Sequence, residues 1–124
     1  MLRRVLAIDD STVALEMYRL VLSQYRNCEF VTARNGAEAL GRLARQESID
    51  LILLDINMPV MNGLEFLRWI RQEPAHKDIP VIIISTEGRE EDTLQGLKMG
   101  AQAYIRKPFQ ESELRALIKK ITGV

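Results

Sequence analysis

Short strand-like runs of four to six residues, among them Val5-Leu6-Ala7-Ile8, Leu51-Ile52-Leu53-Leu54 and Val81-Ile82-Ile83-Ile84, alternate along the chain with longer segments of helical period. A strand that is apolar at consecutive positions is buried on both faces, and connections of helix length are what parallel strands require. The pattern predicts strands near 4–8, 28–33, 50–55, 80–84 and 102–106. It predicts helices near 11–24, 36–47, 63–73, 89–99 and 110–122. The fold class is therefore expected to be α/β, a doubly wound parallel sheet of five strands with five helices, layered α/β/α.

Local stop and start chemistry supports these limits. Asn35 precedes Gly36 with Glu38 three residues on, and Asn62 precedes Gly63 with Glu65 three residues on, so both asparagines read as N-caps. Glu90, Glu91 and Asp92 crowd the first turn of the fourth helix, where the dipole favours negative charge, and Gly100 follows Met99 as a stop. A length of 124 residues, 47% of them hydrophobic, suits a single domain with a real core, so 1–124 is expected to be one unit with no second domain attached.

The first helix has two apolar stripes, Val13, Met17, Leu20 and Val21 on one side and Leu15, Tyr18 and Leu22 on the other. It is expected either to be flanked by a neighbouring helix or to offer a partner a docking face. Trp69, with Phe66 and Ile70, reads as core, as do Leu114, Leu117, Ile118 and Ile121 of the last helix. His76 lies in a polar loop. Arg115, Lys119 and Lys120 read as a solvated face.

Seventeen basic and seventeen acidic side chains cancel, which removes any global attraction for nucleic acid or an anionic membrane. The single cysteine, Cys28, excludes an internal disulfide and reads as a small core residue. No apolar run approaches the ~20 residues of a membrane span and no secretory leader is evident, so a cytoplasmic protein is expected.

The ends of the runs are chemically odd. The first meets Asp9-Asp10, the third ends in Asp55, the fourth meets Ser85-Thr86, and the fifth leads into Lys107-Pro108. In a parallel sheet these ends share one edge, where open α/β sheets bind ligands. Adjacent acids before a helix are often mere caps, and a serine or lysine after a strand is often an ordinary loop residue. Gathered together they are not neutral: carboxylates ~4 Å apart repel by about 4 kcal/mol per pair at an effective dielectric near 20. Lys107 offsets one charge of three, and a divalent cation would offset the rest. The donors are all oxygen, which indicates a hard ion, Mg2+ with Mn2+ as an alternative, and argues against zinc. Asp55 in such a place could be a metal ligand, a nucleophile toward a phosphoryl group, or both.

These residues, Asp9-Asp10, Asp55-Ile56-Asn57-Met58-Pro59 with Gly63, Ser85-Thr86, Tyr104 and Lys107-Pro108-Phe109, give the whole chain its resemblance to receiver domains of bacterial two-component response regulators, of the stand-alone chemotaxis type. The resemblance implies the strand order 2-1-3-4-5. It implies that Asp55 is the phosphoacceptor, that Asp10, Asp55 and the Asn57 main-chain carbonyl bind Mg2+ with Asp9 acting partly through water, and that Lys107 pairs with the phosphoryl group and is followed by a cis peptide bond to Pro108. Ser85 and Tyr104 would switch, repacking the fourth helix, fifth strand and fifth helix. Asn57 and Glu87 would order an attacking water and give rapid self-hydrolysis, while Thr86, where relatives often carry alanine or glycine, would narrow access. The implied partners are a sensor histidine kinase and a target protein such as a flagellar motor switch or other motility component, with dimerisation on phosphorylation open.

Two other readings stand beside this one. A phosphorelay intermediate would pass its phosphate to a histidine phosphotransferase. An enzyme with an aspartyl-phosphate intermediate would resemble the haloacid dehalogenase-like phosphatases, but those want a second acid two residues after the nucleophile, where this chain has Asn57, and a cap insertion. Nucleotide binding is disfavoured because no glycine-rich loop follows the first strand.

Overall fold

The computed structural model describes residues 2–45, 48–58, 61–86 and 89–124. In chain order the elements are β1 (Arg4–Ile8), α1 (Thr12–Leu22), β2 (Glu29–Ala33), α2 (Gly36–Ala44), β3 (Leu51–Asp55), α3 (Gly63–Gln72), β4 (Val81–Ser85), α4 (Glu90–Lys98), β5 (Ala103–Arg106) and α5 (Glu111–Thr122). The strands form one sheet in the order β2-β1-β3-β4-β5, every pair parallel, as expected.

Alternation along the strands builds two cores. Leu6, Ile8, Ile52, Leu54, Val81 and Ile83 face α2 and α3, meeting Ala39, Leu43, Phe66, Leu67 and Ile70. Val5, Ala7, Leu51, Leu53, Ile82, Ile84 and Ile105 face the other way, onto Tyr18, Val21 and Leu22 of α1 and Leu114 and Ile118 of α5. The central strands β3 and β4 are buried at every residue, which accounts for their unbroken apolar runs.

Caps behave as their residues dictate. The Asn35 side chain accepts from Glu38 N at 2.8 Å, and Asn62 and Glu65 form a reciprocal box, with Glu65 N donating to Asn62 Oδ1 at 2.9 Å and Asn62 N to Glu65 Oε1 at 3.2 Å. Replacing Asn62 by alanine is expected to cost about 1 kcal/mol, read as a lower thermal-unfolding midpoint. Gly100 stops α4 with φ +104°, a left-handed conformation that favours glycine.

Several expectations need correction or refinement. α1 ends at Leu22, short of 24, because the Ser23 hydroxyl donates to the Leu20 carbonyl at 2.7 Å and the chain turns toward Asn27, at φ 62°. α2 ends at Ala44, with Arg45 as its cap; the predicted end at 46–47 lies outside the described residues. α1 is flanked by α5, as the first of its two readings expected, but its stripes are not buried throughout: Val13 is 78% exposed and Leu20 is 54% exposed, because the helix buries the arc of Tyr18, Val21 and Leu22 between the sheet and α5. Trp69 is 37% exposed, its ring beside that of His76 at 6.4 Å; it sits at the edge of the α3 arc that buries Phe66 and Ile70. Cys28 is half-buried at the margin of the α1–α5 core rather than within it. Leu117 and Ile121 are likewise partly buried, while Leu114 and Ile118 are wholly so.

Candidate functional site

Strand register assembles the site. Ile8 pairs with Leu54, so one further step sets Asp9 beside Asp55 at the same sheet edge. Asp9 continues the alternation of Val5 and Ala7, and Asp55 that of Leu51 and Leu53, so both belong to the face covered by α1 and α5. Ser85 ends β4 with the alternation of Val81 and Ile83, on the opposite face.

Asp9 is fully buried and Asp55 nearly so, while Asp10 is exposed. Carboxylate oxygens of all three lie within 4.8 Å of one another. Lys107 Nζ stands 2.8 Å from Asp9 Oδ2 and 3.9 Å from Asp55 Oδ2, so the ammonium is paired with Asp9 and merely near Asp55. Asp9 Oδ1 accepts from Ser11 N at 2.9 Å, and Ser11 Oγ in turn caps α1 by accepting from Ala14 N. Asp55 Oδ1 accepts from Asn57 N at 3.1 Å. Burial, then the charge of Asp9, pushes the Asp55 carboxyl up to about 7 from an ordinary 3.8, against the opposing pull of the Asn57 N–H and Lys107. A buried, poorly compensated carboxylate among two others is the environment a hard cation relieves, and the oxygen donor set fits Mg2+.

Lys107 is carried by the turn after β5, its own N–H donating to the Ser85 carbonyl, and the Lys107–Pro108 bond is cis, as expected. Ser85 is buried. Tyr104 alternates with Ile105, which packs into the α1–α5 core, and is 50% exposed. It lines a pocket of about 200 Å³ with Ser85, Thr86, Glu90, Thr93, Leu94 and Arg106, and the buried Thr93 hydroxyl has no partner among the described residues. Arg106 pairs with Glu90 at 3.0 Å beside it. Glu87 lies outside the described residues.

Three side chains that escaped the sequence reading of the site contact it. Tyr18 donates its hydroxyl to Asp9 Oδ2 at 2.7 Å. Arg89 Nη2 donates to Asn57 Oδ1 at 2.8 Å while Nη1 holds Asp92 at 3.2 Å. Arg34 Nη2 donates to the Asp10 carbonyl at 2.7 Å. The Arg89–Asn57 and Arg34–Asp10 contacts join segments 32 and 24 residues apart, and the Tyr18 contact depends on how α1 lies against the end of β1, so no local pattern flags them.

The family model for the response regulator receiver domain matches residues 5–119. Among characterised relatives, the chain is similar to a chemotaxis protein CheY homolog of Campylobacter jejuni, 32% identical across 97% of this chain and 92% of that one. It is 38% identical to the phosphate regulon transcriptional regulatory protein PhoB of Escherichia coli, spanning 98% of this chain but 52% of PhoB. Among solved structures, chemotaxis response regulator CheY4 of Vibrio cholerae superposes with a TM-score of 0.86 at 33% identity, covering 98% of this chain and 99% of that one. The phosphorylated cyanobacterial phytochrome response regulator RcpA gives 0.83 at 30% identity, covering 98% and 91%. With the fold, the acidic cluster and the family match in agreement, this chain belongs to the response regulator receiver domain family of two-component signalling.

Proposed function

We propose that this chain is a phosphorylation-controlled switch in which Asp55 accepts a phosphoryl group from a histidine kinase and returns it to water. The convergence of Asp9, Asp10, Asp55 and Lys107 at one sheet edge carries this reading. Asp10, Asp55 and the Asn57 carbonyl would hold Mg2+ directly, and Asp9, whose two oxygens already accept from Ser11, Tyr18 and Lys107, would act through water. Bound there, Mg2+ supplies positive charge to the phosphoryl oxygens and keeps Asp55 deprotonated.

With acetyl phosphate as a simple donor, an Asp55 carboxylate oxygen forms the new O–P bond as the bond from phosphorus to the acetyl oxygen breaks. Acetate leaves with that electron pair, and no proton is needed. Asp55 Oδ1 is tied to Asn57 N, which leaves Oδ2, facing Lys107, as the freer nucleophile. The Lys107 ammonium then balances phosphoryl charge, and the Ser85 hydroxyl donates to a phosphoryl oxygen. Tyr104 turns into the adjoining pocket, where Thr93 holds an unpartnered hydroxyl, and the surface of α4, β5 and α5 repacks for a target. In hydrolysis, water attacks phosphorus, the O–P bond to Asp55 breaks and inorganic phosphate departs. Asn57, Glu87 and Thr86 set the lifetime. The bond from Arg89 engages the Asn57 side-chain Oδ1 and so restrains one of the groups that would order that water.

The likeness to CheY homologues over nearly their full length favours chemotaxis or another motility pathway, with a flagellar motor switch or comparable component as target. Among the described residues no helix is long and apolar enough to cross a membrane, consistent with action in the cytoplasm. The test is intact mass after incubation with Mg2+ and acetyl phosphate. One labile phosphoryl group per chain, lost on removing Mg2+, is expected; turnover of unrelated phosphoesters would favour a phosphatase instead.

Mg2+ should also stabilise the fold, by about 1.4 kcal/mol at ten times its Kd. The gain should be smaller at pH 6 than at pH 8, because a proton held by Asp55 up to about 7 competes with the cation. Thermal unfolding at the two pH values measures both effects.

A further inference from the structure

Tyr18 is fully buried in the α1–α5 core, where a leucine or phenylalanine would fill the same kind of space, yet it brings a hydroxyl to Asp9. That hydroxyl donates at 2.7 Å to Asp9 Oδ2, the same oxygen that Lys107 Nζ approaches at 2.8 Å. Its ring lies parallel to that of Phe109, 2° between planes and 5.9 Å between centroids, so it also packs against the segment two residues beyond Lys107. Burial, then Asp9 itself, raises the proton affinity of Tyr18 far above the tyrosine range, so the hydroxyl is a permanent donor.

Lys107 stands 1.1 Å closer to Asp9 than to Asp55, from separations of 2.8 and 3.9 Å. To neutralise a phosphoryl group on Asp55 it has to give up Asp9, and a buried carboxylate that loses its cation is costly unless another donor remains. We propose that Tyr18 is a positioning residue that keeps Asp9 Oδ2 hydrogen-bonded while Lys107 moves to the phosphoryl group on Asp55. This rests on the reading of Asp55 as phosphoacceptor. The covalent step is the acetyl phosphate transfer already given; Tyr18 neither gains nor loses a proton in it.

The test uses the full chain with Tyr18→Phe and with 4-aminophenylalanine at position 18, which keeps the ring and restores a weaker N–H donor. Y18F should take up phosphate from acetyl phosphate and Mg2+ about tenfold more slowly than the wild type, the order expected for a lost hydrogen bond to a charged group. The amine should recover part of that rate. In metal-free protein, hydrogen exchange of the Lys107 ammonium, followed by 15N NMR, should slow in Y18F, because Lys107 becomes the only side-chain donor left on Asp9 Oδ2 among the described residues. Equal uptake by Y18F and wild type, or slowing that the amine does not relieve, overturns the proposal. If Y18F does not fold, the amine variant against the wild type decides, since its weaker donor must still slow uptake and equal rates refute. A wild type that takes up no phosphate refutes the phosphoacceptor reading itself, whereas a wild type that is phosphorylated as fast as Y18F refutes Tyr18 alone.

Discussion

Asp55→Asn should abolish phosphoryl uptake and, at the same time, make the metal-free protein more stable at pH 8 by about 2 kcal/mol. Asp55 is buried between Asp9 and Lys107, and its carboxyl is raised to about 7. Because folding raises its proton affinity, the stability it contributes is fully present below the unfolded value near 3.8 and is lost as pH rises through about 7. Roughly three decades of proton affinity, at ~1.4 kcal/mol each, set a ceiling of about 4 kcal/mol on that loss. Asparagine keeps an oxygen for Asn57 N and carries no charge, so the variant should show a flatter profile of stability between pH 4 and pH 8. Urea unfolding of both proteins across that range measures it. A less stable Asp55→Asn at pH 8 would mean that Lys107 already compensates the charge and that no cation is needed there.

Gly63→Ala should cost on the order of 3 kcal/mol or more and should impair the site with the fold. Gly63 opens α3 directly after the Asn62 cap, and its N–H donates to the Ile56 carbonyl. A methyl group there would fall 2.5 Å from Ile56 Cα and 2.7 Å from the Asp55 carbonyl oxygen. Both are backbone atoms with no rotamer to yield, so either α3 lifts from the sheet or the Asp55–Ile56 segment shifts. By contrast, the contact that a methyl at Gly36 would make is with the Met61 side chain, which can move. Denaturant unfolding should separate the two, with Gly36→Ala the milder, and Gly63→Ala should also weaken Mg2+ binding because Asp55 is displaced.

The sheet and the acidic edge were legible because they depend on local patterns. Unbroken apolar runs in β3 and β4 follow from burial on both faces, and helix-length spacers force parallel pairing, so the ends of β1 and β3 had to share an edge. The asparagine caps were legible because their partners lie three residues away. Tyr18 was not: helical period placed it on an apolar stripe, but its hydroxyl acquires meaning only when α1 is laid against Asp9 and against Phe109, more than ninety residues later. Arg89 and Arg34 are long side chains whose acceptors, Asn57 and the Asp10 carbonyl, belong to other loops. The exposure of Val13, Leu20 and Trp69 was likewise decided by which arc of each helix meets the sheet, a tertiary choice that apolar periodicity leaves open by about one residue.

The most direct measurement is an anomalous difference map from crystals of the full chain grown with Mn2+ in place of Mg2+. The expected result is a single strong peak at the sheet edge, bonded to carboxylate oxygens of Asp10 and Asp55 and to the Asn57 carbonyl, with Asp9 one water away. A map with no peak there, or with one that Asp55 does not touch, would contradict the assignment of these residues to one cation and one phosphoryl group.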